Sequence, residues 1–238
     1  VIISNEIKYK DGTTECRGFI AYDSSLSHPL PAVMVVHDWV GRSERMCTKA
    51  EELAAMGYVG FAVDMYGDAR TGADKTARRA LMAPLMQDRR ILLSRIMAAV
   101  QFLNQFACAD KAKIAAIGYC FGGLCVLDLA RSLAAIKGVV SFHGLLHPPK
   151  HVPQEPIKSK ILVLHGYDDP LVPPEQVQQF ADEMNQRKAD WQIHMYGHTQ
   201  HSFTNPEAHD DEMGLHYNER ADHRSWTTTL TFLRELFA

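Results

Sequence analysis

Short apolar runs alternate with amphipathic stretches along most of the chain. Residues 32–36, 58–63, 114–118, 138–142 and 161–165 are strand-length and show little polar alternation. That pattern belongs to strands covered on both faces, as in a parallel sheet. Residues 191–196 give a further strand. Between the strands, residues 44–56 read as a helix that stops at Gly57, and residues 71–87 as a polar connection with helical character. Residues 89–106 form a long amphipathic helix, and helices are also predicted over 121–133, 174–187 and 221–237. The N-terminal stretch 6–22 is β-rich around Lys10-Asp11-Gly12, and Asp-Gly between two such runs signals a hairpin at the antiparallel edge of a sheet. Strands alternating with helices predict an α/β fold, a mostly parallel central sheet with helices on both faces. Residues 144–159 hold Pro148, Pro149, Pro153 and Pro156 and read as a long irregular segment between two strands of one sheet. Such a segment is expected to border a binding site rather than to divide domains. No repeat or linker interrupts residues 1–238, which read as one domain.

Composition narrows the function classes. A chain of 238 residues with 46% hydrophobic and 22% charged residues can bury a large core. The net charge of −3 comes without a basic stripe, so nucleic acid is not an expected partner. The apolar runs are too short to span a bilayer, and Asn5, Glu6 and Lys8 break up any signal-peptide core at the visible N-terminus. Five cysteines at irregular spacing, with no CxxC pair, read as reduced thiols in a reducing, cytoplasmic compartment.

The chemistry concentrates in Gly118-Tyr119-Cys120-Phe121-Gly122-Gly123, where a strand ends and a helix begins. This is a G-x-nucleophile-x-G elbow with cysteine in the serine position. A tight strand-to-helix turn holds the nucleophile in a strained conformation, and glycines two residues either side let the backbones cross. The helix N-terminus favours a thiolate and places the Phe121 N–H where an oxyanion would form. The plainer alternative is a buried, inert structural cysteine. A nucleophilic cysteine needs a base and an orienting acid, in the chain order nucleophile, acid, base. After the strand 161–165 comes Gly166-Tyr167-Asp168-Asp169-Pro170, in which Asp169 is preferred; spacing does not separate it from Asp168, and both could be turn residues. After the strand 191–196, His201 lies deeper in its loop than His198 and is preferred as base. A second oxyanion donor is expected from His37-Asp38-Trp39-Val40-Gly41, specifically the Trp39 N–H, with the Asp38 carboxylate directed to the same region. His37, which precedes the nucleophile, reads as a brace for this loop.

These segments resemble the dienelactone hydrolase family of α/β-hydrolases. The resemblance extends to Asp64-Met65-Tyr66-Gly67 and His223-Arg224-Ser225-Trp226, so it spans nearly the whole chain in order. It implies the α/β-hydrolase fold and a Cys120–His201–Asp169 triad. The family's acid stands three residues after the glycine, which selects Asp169, and its histidine precedes a small residue and Phe, which selects His201. At Asp38 the best-known members carry Glu, which helps move the thiol proton; Asp is one methylene shorter. Members that use dienelactone place an Arg two residues after the motif's Phe. Here Phe203 is followed by Thr204 and Asn205; an Arg of the Arg78–Arg79 pair could serve instead, although that pair reads as a solvated helix face, so dienelactone is not claimed as the substrate.

The expected reaction is hydrolysis of a small ester or lactone through an acyl-cysteine, with no metal or organic cofactor. Three rival readings are a silent binding protein that keeps the pocket, redox sensing by Cys120 with Cys125 as resolving thiol, and thioester or peptide hydrolysis on the same triad. The sequence leaves the oligomeric state open.

Overall fold

The computed structural model describes residues 1–27 and 29–238. These form two compact units, Val1–Ile117 and Gly118–Ala238. The first begins with the antiparallel hairpin β1 (Ile2–Asp11) and β2 (Thr14–Asp23), which turns at Gly12 with φ +56°. Then follow β3 (Leu30–Val36), α1 (Glu44–Ala55), β4 (Val59–Val63), α2 (Lys75–Gln87), α3 (Arg89–Gln105) and β5 (Ala109–Tyr119), whose last two residues begin the second unit. The strand order here is β1-β2-β4-β3-β5, with β3 and β4 parallel. α1 ends at Gly57, where φ is +90°. It packs so closely on β4 that a Cβ at Gly60 would lie 2.1 Å from the Ala50 carbonyl oxygen. β5 starts well before the predicted 114, because its first half is partly exposed and carries Asp110, Lys111 and Lys113 among its residues. The loop after β4 is wound on buried Asp64, whose carboxylate accepts the backbone N–H groups of Arg17, Tyr66, Gly67 and Ala69.

The second unit contains α4 (Phe121–Arg131), β6 (Gly138–Phe142), β7 (Lys160–Gly166), α5 (Pro174–Gln186), β8 (Trp191–Tyr196), a small hairpin of β9 (His209–Asp210) and β10 (Leu215–His216), and α6 (Glu219–Phe237). Strands β6, β7 and β8 are adjacent and parallel. Every residue of β6 is buried, so both of its faces are covered, with α4 and α6 packed against it. Residues 144–159 contain no strand or helix, as the prolines predict. They are nevertheless tied down. Arg131, 1% exposed, pairs with Asp128 and Glu183 and donates to the Leu146 carbonyl at 2.7 Å. Arg187 donates to the Glu155 carbonyl, and its own carbonyl accepts the Ile157 N–H at 3.0 Å. Among the described residues no helix is long and apolar enough to cross a membrane.

Candidate active site

Cys120 sits between β5 and α4 with φ +53° and ψ −112°, a conformation that side chains other than glycine rarely adopt. Crowding around the turn explains its glycine. A Cβ at Gly118 would come within 2.1 Å of the Gly122 carbonyl oxygen. The Cys120 N–H donates to the Phe142 carbonyl at 2.9 Å, and its carbonyl accepts from Leu124 N–H, so the elbow is held at both ends. Cys120 itself stays half-buried.

The loops that follow β7 and β8 meet because Gly166 has no side chain. A Cβ there would stand 2.5 Å from the Thr199 carbonyl oxygen and 2.7 Å from that of Gln200. The contact is sealed by the Asp168 N–H, which donates to the Thr199 carbonyl at 2.9 Å. Asp169 is buried and directs Oδ1 to the Leu171 N–H at 2.9 Å and Oδ2 to His201 Nδ1 at 2.7 Å. His201 Nε2 in turn lies 3.1 Å from Cys120 Sγ. The base loop is fixed by the β9–β10 hairpin: His201 N–H donates to the Gly214 carbonyl, and His216 N–H to the His201 carbonyl. That hairpin is absent from the sequence reading, because two-residue strands leave no periodicity; the glycine turn at Gly214 is its only local sign.

The two residues that competed on spacing lie outside this chain of bonds. Asp168 and His198 are exposed and line a separate cleft of about 310 Å³ with Gln200, His216, Tyr217 and Asn218.

Burial disfavours a charged His201, but the neighbouring Cys120 and hydrogen bonds to Asp169 and Cys120 outweigh it, and the imidazole is pushed up to about 10. Two more buried histidines stand close. Burial lowers the pKa of His165, which feels Asp169 and His201 electrostatically. The ring centroid of His143 lies 5.2 Å from that of His201.

The loop after β3 belongs to the first unit. His37 is fully buried and braces it: Met65 N–H donates to Nε2, so the Nδ1 proton points to the Asp38 carbonyl at 2.6 Å. Asp38 accepts from Val40 N–H at 2.8 Å and from Arg45 Nη2 at 2.7 Å. The Trp39 carbonyl accepts the Tyr66 hydroxyl at 2.9 Å. Arg78 is not the solvated side chain that its helical setting suggested. Its Nε donates to the Gly72 carbonyl, and its guanidinium lies 5.6 Å from the Trp39 ring centroid. Arg79 is exposed. All five cysteines are free thiols, and Cys125 is fully buried in α4.

The sequence profile of the dienelactone hydrolase family matches residues 17–237. The chain belongs to the dienelactone hydrolase family. The structure of the dienelactone hydrolase-like promiscuous phosphotriesterase P91 from metagenomic libraries is 36% identical, covering 99% of this chain and 98% of that one at a TM-score of 0.94. A 42% identical protein of Caenorhabditis elegans, uncharacterized, matches 62% of this chain and 95% of its own length. A Bradyrhizobium protein described as "Probable 2-oxo-3-(5-oxofuran-2-ylidene)propanoate lactonase" is 26% identical, over 86% of this chain and 84% of its own. An α/β-hydrolase from a deep-sea metagenome, 18% identical with a TM-score of 0.71 over 98% of both chains, shares the fold. Family and fold together make this dienelactone hydrolase-family member an α/β-hydrolase enzyme.

Proposed function

We propose that the chain hydrolyses a small carboxylic ester or lactone with Cys120 as nucleophile, His201 as acid and base, and Asp169 as the residue that orients it, residues 1–238 acting as one catalytic domain. The observation that carries this reading is the continuous hydrogen-bond chain from Asp169 through His201 to Cys120 Sγ at a strained elbow. The sulfur attacks the carbonyl carbon, and the Phe121 N–H at the start of the elbow helix holds the oxyanion, worth about 3 kcal/mol in the transition state. When the C–O bond breaks, the imidazolium gives its proton to the leaving alkoxide; in a lactone that alkoxide stays attached and the ring opens. Water, deprotonated by His201, then attacks the thioester, and the acid leaves as the thiolate is restored. Nothing in this sequence of steps calls for a metal or an organic cofactor.

A neutral substrate suits the site, since Asn205 stands where members that use dienelactone carry Arg. The lactonase and phosphotriesterase names of two relatives fit a pocket for small, activated esters. The redox reading is less favoured, because Cys125 is sealed in the core with no exposure.

The deciding experiment is hydrolysis of p-nitrophenyl acetate by wild type and Cys120→Ala, with intact mass spectrometry of the acid-quenched wild type. Turnover lost in the variant, with an acetyl mass gain on the Cys120 peptide, is the expected result. Equal turnover in both proteins would refute a cysteine nucleophile.

A further inference from the structure

The segment that leaves β6 touches the elbow, the helix behind it and the base loop within three residues. The Phe142 carbonyl accepts the Cys120 N–H. A Cβ on Gly144 would collide with Gly123 of α4 at 2.8 Å. Between them His143, 1% exposed, takes φ +40°. A glycine would hold that backbone without strain, and the next residue is one. A histidine kept in a left-handed conformation implies that its side chain is what the position requires.

That side chain reaches the base loop and also lies near the Tyr119 ring, with centroids 6.2 Å apart. Its Nε2 lies 2.8 Å from the Thr204 hydroxyl. Its ring meets His201 edge-on, with centroids 5.2 Å apart and planes at 64°, and packs on Phe203 at 5.0 Å and 80°. The loop on the other side is strained too: Ser202 has φ +59°, and its carbonyl accepts the Asn205 N–H to close a tight turn. Asp169 holds Nδ1 of His201 and Cys120 Sγ lies against Nε2. The tilt of the ring between these two partners then depends on what packs against it.

We propose that His143 is a positioning residue for His201: its hydrogen bond to Thr204 clamps the 201–204 turn, and its ring sets the plane of the base. The inference rests on His201 acting as the base. A base misdirected by a fraction of an ångström lowers the chemical step and leaves substrate binding intact; a 1 Å error costs about 10²-fold.

The test uses two routes to the same clamp, measured as kcat and KM on p-nitrophenyl acetate. Thr204→Val is close in shape and removes only the hydroxyl. It is expected to lower kcat about tenfold with KM within about twofold, and Thr204→Ser to restore kcat. His143→Asn tolerates positive φ but lacks the ring, and is expected to lower kcat on the order of 100-fold. The double variant His143→Asn/Thr204→Val should be no slower than His143→Asn alone, because both remove one interaction. The His201 Nδ1 proton, low-field in the NMR spectrum when hydrogen-bonded to Asp169, should shift or broaden in Thr204→Val and His143→Asn. Wild-type kcat in folded Thr204→Val, or losses that simply multiply in the double variant, would overturn the proposal. Should His143→Asn fail to fold, Thr204→Val against Thr204→Ser still decides. Cys120→Ala separates the two readings: retained turnover there would sink the nucleophile, while the His201 proton would still report whether His143 positions the ring.

Discussion

His201 is subject to influences of opposite sign, and one substitution separates them. Burial pushes the imidazole toward its neutral form, and the electrostatic influence of Cys120 is the largest in the other direction. In Cys120→Ala that influence disappears while burial and Asp169 remain. The His201 ring should then titrate below its wild-type value of about 10, followed through its carbon-bound protons by NMR. An unchanged titration would mean that the sulfur does not govern the base. Cys120, Asp169 and His201 were readable in the sequence because each stands in a short motif just after a strand. Asp168 and His198 met the same spacing. What separates them is burial and the direction of one hydrogen bond, which spacing does not encode. His143 and Thr204 left no signal, since their contact joins residues 61 apart and depends on a positive φ at a histidine.

The elements place these side chains through what they lack as much as through what they contain. Gly118 and Gly166 each let two backbones pass where a methyl group would collide. Gly118→Ala should therefore cost at least about 1–3 kcal/mol of stability by urea denaturation and abolish ester turnover, because the Gly122 carbonyl has no side-chain freedom with which to yield. Wild-type stability and activity in that variant would show that the elbow relaxes. The buried strands and their helices were readable because a run such as Val33-Met34-Val35 has no polar residue to suggest a solvent face. The start of β5 and the β9–β10 hairpin were not. The first is partly exposed, and the second holds its register through Gly214 and Leu215 against His201 rather than through any pattern of its own.

At the scale of the molecule, charge is buried where the irregular 144–159 segment meets helices. Arg131 is 1% exposed and Asp128 3%, with Glu183 beside them at 15%. Removing one member leaves the others unpaired in the interior, so Arg131→Leu should destabilise the protein by about 3–5 kcal/mol in urea denaturation. A shift below about 1 kcal/mol would show that the cluster is hydrated. The prolines made this segment readable as irregular, but not as anchored, because its ties are to backbone carbonyls, which any sequence supplies. Arg131 and Arg187 hold it at Leu146 and again at Glu155 and Ile157, while His147, Pro148, Lys150 and His151 between these points face solvent. For protein engineering, this makes the segment a loop with fixed ends and an open middle. Peptide inserted near Lys150 enters between two intact mooring points, so sequence libraries built there can vary this surface while the arginine pegs keep the chain on either side in place.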